Sequence, residues 1–187
     1  MNVIETVLEG VVIIEPKIFG DKRGFFLETF QQDRYREYLG SDVTFVQDNH
    51  SRSSKGVLRG LHFQLTKPQG KLVRVVTGEV YDVAVDINPQ SSTYGQYTGV
   101  VLSANNKRQF WVPPGYAHGF LVLSDIADVE YKCTDYYDPS DEGGVLWSDP
   151  QIDIDWPLND VHLSDKDKQL PTLESLRASA HCPSGRG

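Results

Sequence analysis

The dominant signal along the chain is a hydrophobic period of two. In Glu79–Ile87, the residues Tyr81, Val83, Val85 and Ile87 share one face of an extended segment, and Val80, Asp82, Ala84 and Asp86 share the other. Short strands are predicted here and at Val3–Ile14, Gly24–Thr29, Val43–Gln47, Val57–Leu65, Lys71–Val76, Tyr97–Leu102, Arg108–Val112, His118–Val122 and Asp128–Tyr137. Between them lie turn formers: Gly20–Gly24, Thr77-Gly78, Asn88-Pro89, Asn105-Asn106 and Pro113-Pro114-Gly115. Many short strands at this spacing predict an antiparallel sandwich or closed barrel. Asp33–Leu39 can form one short helix, and Pro139–Lys168 reads mostly as loop with a helical turn. The weakly patterned run 171–187 is expected to be a flexible tail on a single domain spanning 1–187.

Alternation alone puts the polar face of Glu79–Ile87 toward solvent. A barrel holding a polar ligand reverses that, pointing charged side chains inward. In Val57–Leu65, Arg59 and His62 have opposite parity, so they share a cavity only if the strand is irregular between them. Gly60 permits a bulge at that point.

Length and charge narrow the class. At 187 residues the chain suits one domain with a substantial core. Eighteen Lys and Arg against 26 Asp and Glu give a formal net charge of −8, which argues against a broad nucleic-acid-binding face or a polybasic membrane surface. Cys133 and Cys182 make neither a disulfide framework nor a paired metal motif, so a reduced, cytoplasmic protein is expected. The apolar run Val11–Ile14 is broken by Glu15-Pro16, too early for a signal-peptide core or a membrane span.

Candidate chemistry begins with what is missing. The chain has no GxGxxG, no P-loop, since Leu65 stands where the first P-loop glycine would precede Gly70-Lys71, and no GxSxG elbow. Of five histidines, two lie in informative settings: His62, six residues after Gly56, and His118, closing Pro113-Pro114-Gly115-Tyr116-Ala117-His118. These two fragments resemble the paired motifs of the cupin superfamily, which implies a double-stranded β-helix, or jelly roll. Metal-binding cupins continue with a second His and a carboxylate, but here position 64 is Gln, and 68 and 69 are Pro and Gln. Two imidazoles make a poor catalytic metal site, so no metal is expected and His62 is left free as a base.

A closer resemblance covers the chain from about residue 3 to 170. Phe19–Glu28, Phe45–Ser51, Gly56–Gln64, Gln69–Arg74, Pro113–Phe120, Tyr131–Thr134 and Leu163–Asp167, in that order, resemble the dTDP-4-dehydrorhamnose 3,5-epimerase family. The resemblance implies a mainly β cupin jelly roll with short helices and a loop-rich C-terminal segment. It implies cofactor-free epimerisation of a dTDP-4-dehydro-6-deoxy-hexose at C3 and C5, in dTDP-L-rhamnose biosynthesis. It also implies a homodimer in which the neighbouring subunit supplies some substrate contacts.

By resemblance His62 is the base, Asp167 its carboxylate partner, Tyr131 the general acid, and Lys71 the cation stabilising an enolate oxygen at C4. Arg23, Arg59 and Lys166 match substrate-holding cations, Glu28, Gln47 and Asn49 match polar positions near the nucleotide, and His118 and Glu142 match further substrate contacts. Taken without the resemblance, Asp167 reads as a solvated loop charge, Tyr131 as a half-buried strand tyrosine and Lys71 as a strand-edge charge. Asp82 and Asp86 are candidates for orienting Lys71 or Arg74. A single-carbon epimerase, a metal-dependent cupin oxygenase and a non-catalytic sugar-nucleotide binder remain as alternatives.

Overall fold

A computed structural model describes residues 1–179. Its early strands are β1 (Asn2–Glu5), β2 (Val12–Glu15), β3 (Ile18–Asp21) and β4 (Gly24–Leu27), followed by helix α1 (Gln32–Leu39). Then come β5 (Gln47–Ser54), β6 (Leu58–Gln64), β7 (Lys71–Thr77), β8 (Glu79–Asp86), β9 (Tyr97–Ser103), β10 (Gln109–Val112), β11 (Tyr116–Val122), β12 (Ile126–Cys133) and β13 (Glu142–Gly144), with helix α2 (Leu173–Ala178) after them.

Six strands pair in the order β1-β2-β10-β7-β12-β5, five in the order β13-β6-β11-β8-β9, and β3 with β4 forms a separate hairpin. From β5 to β13 the chain crosses between the two sheets at every step except β8 to β9. All the strand pairs within them are antiparallel. This is the winding of a double-stranded jelly roll, the expected class.

The period-two pattern determines what lies between the sheets. Val73 and Val75 of β7, Phe110 and Val112 of β10, Ala127 and Val129 of β12, Val80 and Ala84 of β8, and Phe120 and Val122 of β11 form the barrel core. The opposite face of β8 and β11 is not solvated either. Val83, Val85 and Ala117 pack under Val145, Ile152, Leu173 and Leu176 of the C-terminal segment. β8 is therefore buried on both faces, and Asp82, fully buried, points inward with Val80 and Ala84. The alternation read polar-out in sequence is reversed because the outer face is covered. Asp86 acts locally, where its carboxylate accepts from Asn88 N, Ser91 Oγ and Thr93 Oγ1 and anchors the turn after β8.

Four sequence expectations need correcting. Val3–Ile14 is two strands, because Thr6 Oγ1 takes a hydrogen bond from Leu8 N (3.2 Å) and donates to Val11 O (2.9 Å), folding the chain between them. The strand expected at Val43–Gln47 instead occupies β5, and β13 lies inside a segment read as loop. The run beginning at Pro171 does not start as a frayed tail. Thr172 caps α2 by accepting from Ser175 N at 3.2 Å, Asp149 Oδ2 accepts from Leu173 N at 2.7 Å, and Leu173 and Leu176 are buried. Burying one such leucine is worth about 1.5–3 kcal/mol, enough to dock a short helix. The rest of the expected tail, 180–187, lies outside the described residues.

Candidate active site

At one end of the barrel the inward positions change from apolar to polar. Gln47, Asn49 and Ser51 of β5, Arg59 and His62 of β6, Lys71 of β7, His118 of β11 and Tyr131 of β12 line a cleft with two lobes. The first lobe, 480 Å3, is completed by Ser164, Lys166 and Asp167. The second, 240 Å3, is completed by Gln64, Gln69, Tyr137 and Glu142. His62, Lys71 and Tyr131 line both lobes and so mark their junction.

The bulge anticipated at Gly60 is present. His118 pairs with His62 and Phe120 with Arg59, so three steps along β6 oppose two along β11. Gly60 has a φ of +121°, and a Cβ there would lie 2.7 Å from the Gly119 Cα, so the two strands approach at paired glycines. The extra residue brings Arg59 and His62 onto one cavity despite their opposite parity.

His62 Nε2 lies 2.7 Å from Asp167 Oδ1. Asp167 arrives through a return of the chain along β6: a parallel bridge joins Val57 to His162, with His162 N donating to Gly56 O (2.7 Å) and Leu58 N to His162 O (3.0 Å). Burial raises the Asp167 carboxyl, but hydrogen bonds from His62, Ser164 and the Gly60 N–H, with the charge of His62, outweigh it and hold the group below the usual carboxylate value. The other imidazole nitrogen, Nδ1, faces Glu142 Oε1 at 3.9 Å. Glu142 accepts hydrogen bonds from Lys166 Nζ and, at 2.6 Å, from the Tyr137 hydroxyl. Burial raises the Glu142 carboxyl, while those two donors and the charge of His62 bring it below its ordinary value.

Across the cleft, burial pushes the Lys71 ammonium below the ordinary lysine value against the charges of Cys133, Asp82 and Glu142. Burial raises the Tyr131 phenol, keeping it protonated. His118 Nε2 is 2.7 Å from Asp82 Oδ1, a second buried His–Asp pair. The charge of Asp82 acts on Lys71, but its carboxylate is bonded to His118 and makes no ion pair with the lysine among the described residues. Asp86 does not reach Arg74, whose guanidinium pairs with Glu130 at 2.6 Å. Asn49 accepts from Gln47 Nε2 at 3.1 Å, and Arg59 Nε donates to Ser53 Oγ at 3.0 Å.

Of the residues singled out in sequence, His62, Asp167, Tyr131, Lys71, Arg59, His118, Lys166, Gln47, Asn49 and Glu142 meet in this cleft. Arg23 and Glu28 do not. Arg23 is in the β3–β4 turn, bonded to Asp21 at 2.6 Å, and Glu28 follows β4, bonded to Arg34 at 2.7 Å. Around them the hairpin exposes Phe19, Phe25 and Phe26 at 54%, 61% and 69%. Sequence reasoning missed Ser51, Tyr137 and Ser164. Only the Tyr136-Tyr137 pair beside a turn hinted at an aromatic cleft wall. A further cavity of 360 Å3 on the outer face of the six-stranded sheet is lined by charges that neutralise one another, Arg74 with Glu130 and Lys132 with Asp48. Among the described residues no three His, Cys, Asp or Glu side chains are placed to hold a metal ion, and Gln64 is bonded to backbone. The site does not fit the three-ligand centre of metal-binding cupins.

A jelly roll with a polar cleft at one end, where a histidine on one sheet pairs with an aspartate of the returning chain and a tyrosine and a lysine stand on the other sheet, defines a cupin-type barrel with ionisable groups facing one cavity. The family model for dTDP-4-dehydrorhamnose 3,5-epimerase matches residues 5–175, and the chain belongs to that family. It is 57% identical over 178 residues to the dTDP-4-dehydrorhamnose 3,5-epimerase of Escherichia coli K12, covering 94% of this chain and 96% of that one. It is similar, with a TM-score of 0.95 and 56% identity over 100% of this chain and 99% of the other, to a dTDP-6-deoxy-D-glucose-3,5-epimerase of Legionella pneumophila Philadelphia 1 solved with dTDP-4-keto-L-rhamnose. A 3'-monoepimerase of Streptomyces bikiniensis solved with dTDP-quinovose is also similar, with a TM-score of 0.91 and 33% identity over 97% of this chain and 92% of that one. The fold is thus common to proteins described as single and double epimerases.

Proposed function

We propose that this chain is a dTDP-4-dehydrorhamnose 3,5-epimerase, converting dTDP-4-dehydro-6-deoxy-D-glucose to dTDP-4-dehydro-β-L-rhamnose in dTDP-L-rhamnose biosynthesis. The observation that carries the reading is that His62 and Tyr131 stand on opposite sheets and line the same junction, together with Lys71. Inverting a carbon centre needs a base on one face and an acid on the other.

The C4 ketone acidifies the hydrogens on both C3 and C5. Asp167, ionised and an acceptor only, fixes the proton on His62 Nε2, leaving the Nδ1 lone pair as base. Nδ1 takes the proton from carbon, and the C–H electron pair moves into an enolate whose negative charge gathers on the C4 oxygen. Lys71 is the cation for that oxygen, acting on charge that develops only along the reaction. Tyr131 then delivers its hydroxyl proton to the opposite face of the carbon. Solvent returns the tyrosine proton and removes the histidine proton, and the sequence repeats at the second carbon. Arg59 and Lys166 suit the diphosphate, which guanidinium and ammonium groups bind through several donors. Gln47 and Asn49 suit the nucleotide half in the second lobe, and His118, oriented by Asp82, and Glu142, beside the His62 ring, suit the sugar.

Arg23 and Glu28 act in the neighbouring subunit. Each chain sends its hairpin to the partner's cleft, burying Phe19, Phe25 and Phe26 in a homodimer. The substrate is a soluble nucleotide sugar, which suits a cytoplasmic enzyme; no helix among the described residues is long and apolar enough to cross a membrane.

The deciding experiment incubates dTDP-4-dehydro-6-deoxyglucose with chelator-treated protein in D2O and follows C3 and C5 by NMR. Deuterium at both carbons with rhamno-configured product is expected. Exchange at one carbon only assigns a single-carbon epimerase, and exchange at neither overturns the reading.

A further inference from the structure

Four consecutive backbone positions, Asp135 to Asp138, are held by the side chains of three glutamines. Gln69, between β6 and β7, donates Nε2 to Asp135 O at 2.7 Å. Gln64, the last residue of β6, donates Nε2 to Tyr136 O at 3.2 Å and to Lys67 O at 2.8 Å, and its Oε1 accepts from Asp138 N at 2.7 Å. Gln47, the first residue of β5, accepts from Tyr137 N at 2.9 Å. β5 and β6 belong to different sheets, so these bonds strap the segment across the mouth of the barrel.

Gln64 is the centre of the device. It is 3% exposed, and both its oxygen and its nitrogen are bonded to backbone. Only a primary amide of this length offers two donors and one acceptor to two carbonyls and one N–H. A carboxylate would set negative charge against two carbonyl oxygens, and alanine would leave the strap without its two bonds to this side chain. The strap carries Tyr137, whose hydroxyl donates to Glu142, and that bond pushes the phenol pKa up to about 12, so it remains a donor at neutral pH. Tyr137 and Glu142 both line the second lobe with the three glutamines.

We infer that Gln64 is a positioning residue for the nucleotide half of the substrate. It holds the Asp135–Asp138 strap, and through it Tyr137, against the second lobe, and it governs substrate binding rather than proton transfer. The inference rests on the nucleotide-sugar reading above. It gives a role to the position where metal-binding cupins carry a ligand: an amide that closes the cleft instead of a histidine that binds metal.

The test uses the full chain and two readouts, calorimetric titration with dTDP and steady-state kinetics with the ketosugar. Gln64→Ala is expected to weaken dTDP binding about tenfold and raise KM by a similar factor while kcat stays within about twofold of wild type. Gln64→Glu should do the same, since similar size without the two donors does not rescue. Gln69→Ala, at the edge of the strap and losing one bond, should weaken dTDP binding about two- to threefold, and it decides the question if the Gln64 variants do not fold. Wild-type dTDP affinity in a folded Gln64 variant, or a fall in kcat at constant KM, overturns the inference. So does wild-type affinity in Gln69→Ala where both Gln64 variants are unfolded. Absence of ketosugar turnover by the wild type defeats the functional reading instead, whatever the variants do.

Discussion

His62 Nε2 and Asp167 Oδ1 lie 2.7 Å apart although 105 residues separate them in the chain. The contact is assembled by backbone: the bridge from Val57 to His162 lays the returning chain along β6, and Ser164 Oγ accepts from Asp167 N at 3.1 Å to hold the turn that aims the carboxylate. With an ionised Asp167 as acceptor, this bond puts the imidazole proton on Nε2, and in the proposed mechanism the adjacent negative charge stabilises the imidazolium that forms when Nδ1 takes a proton.

Asp167→Asn separates those effects from packing. The amide fills the same space but removes the charge and no longer requires the proton on Nε2. The expected result is a fall in kcat of about 100-fold or more with KM little changed. Steady-state kinetics measures this, alongside a melting curve showing that the barrel is intact. Wild-type kcat would remove Asp167 from the mechanism.

Tyr131→Phe gives a more selective outcome. In the proposed mechanism the base on the other sheet is untouched, so C–H bonds should still break, but the only proton returned comes from the His62 side. In D2O the recovered sugar should carry deuterium with its original configuration, while epimerised product falls by about 100-fold or more. NMR of the reaction mixture distinguishes the two fates. Full epimerisation by the variant assigns the acid to another group.

How legible this was depended on whether a residue's surroundings were apolar. Strands β7, β8 and β12 announced themselves because their inward faces carry Val73, Val80 and Val129 among other core residues. β5 was misplaced for the opposite reason: its inward residues, Gln47, Asn49, Ser51 and Ser53, are polar and three of them line the cleft, so no hydrophobic period marks the strand. α2 was missed because two buried leucines three residues apart carry too little periodicity to stand out. Within the site, the Gly60 bulge was readable from parity and a glycine. The His62–Asp167 contact was not, since nothing local in either segment encodes the other. It came only from the family resemblance.

The outer face of the barrel predicts the acid limit of stability. Hydrogen bonds from Arg52 and His50 to the Asp128 carboxylate, the first the larger effect, hold that group well below the usual carboxylate range. A carboxylate whose pKa is lower folded than unfolded contributes stability that is complete above its unfolded value of 3.8 and is lost as the pH falls through the folded value. The melting temperature of the wild type should therefore drop below about pH 4, and the gap between wild type and Asp128→Asn should narrow as the pH falls. A gap independent of pH would show that Asp128 acts only through packing.

Arg23 supplies the test of the dimer. Its side chain is 85% exposed and pairs with Asp21 of its own hairpin, outside the cleft that contains His62. If Arg23 serves the partner's substrate, Arg23→Ala homodimers lack a substrate contact at both sites, and His62→Ala homodimers lack the proposed base at both. A mixed dimer restores one complete site: the Arg23→Ala chain keeps His62, and its His62→Ala partner provides Arg23. The other site lacks both groups. Co-expression of the two variants under separate affinity tags, with isolation of the doubly tagged species, should recover activity that neither homodimer has. If Arg23 acted within its own chain, every site in the mixed dimer would lack one group and no activity would return. A monomeric wild type in sedimentation equilibrium would remove the basis for the hairpin exchange altogether.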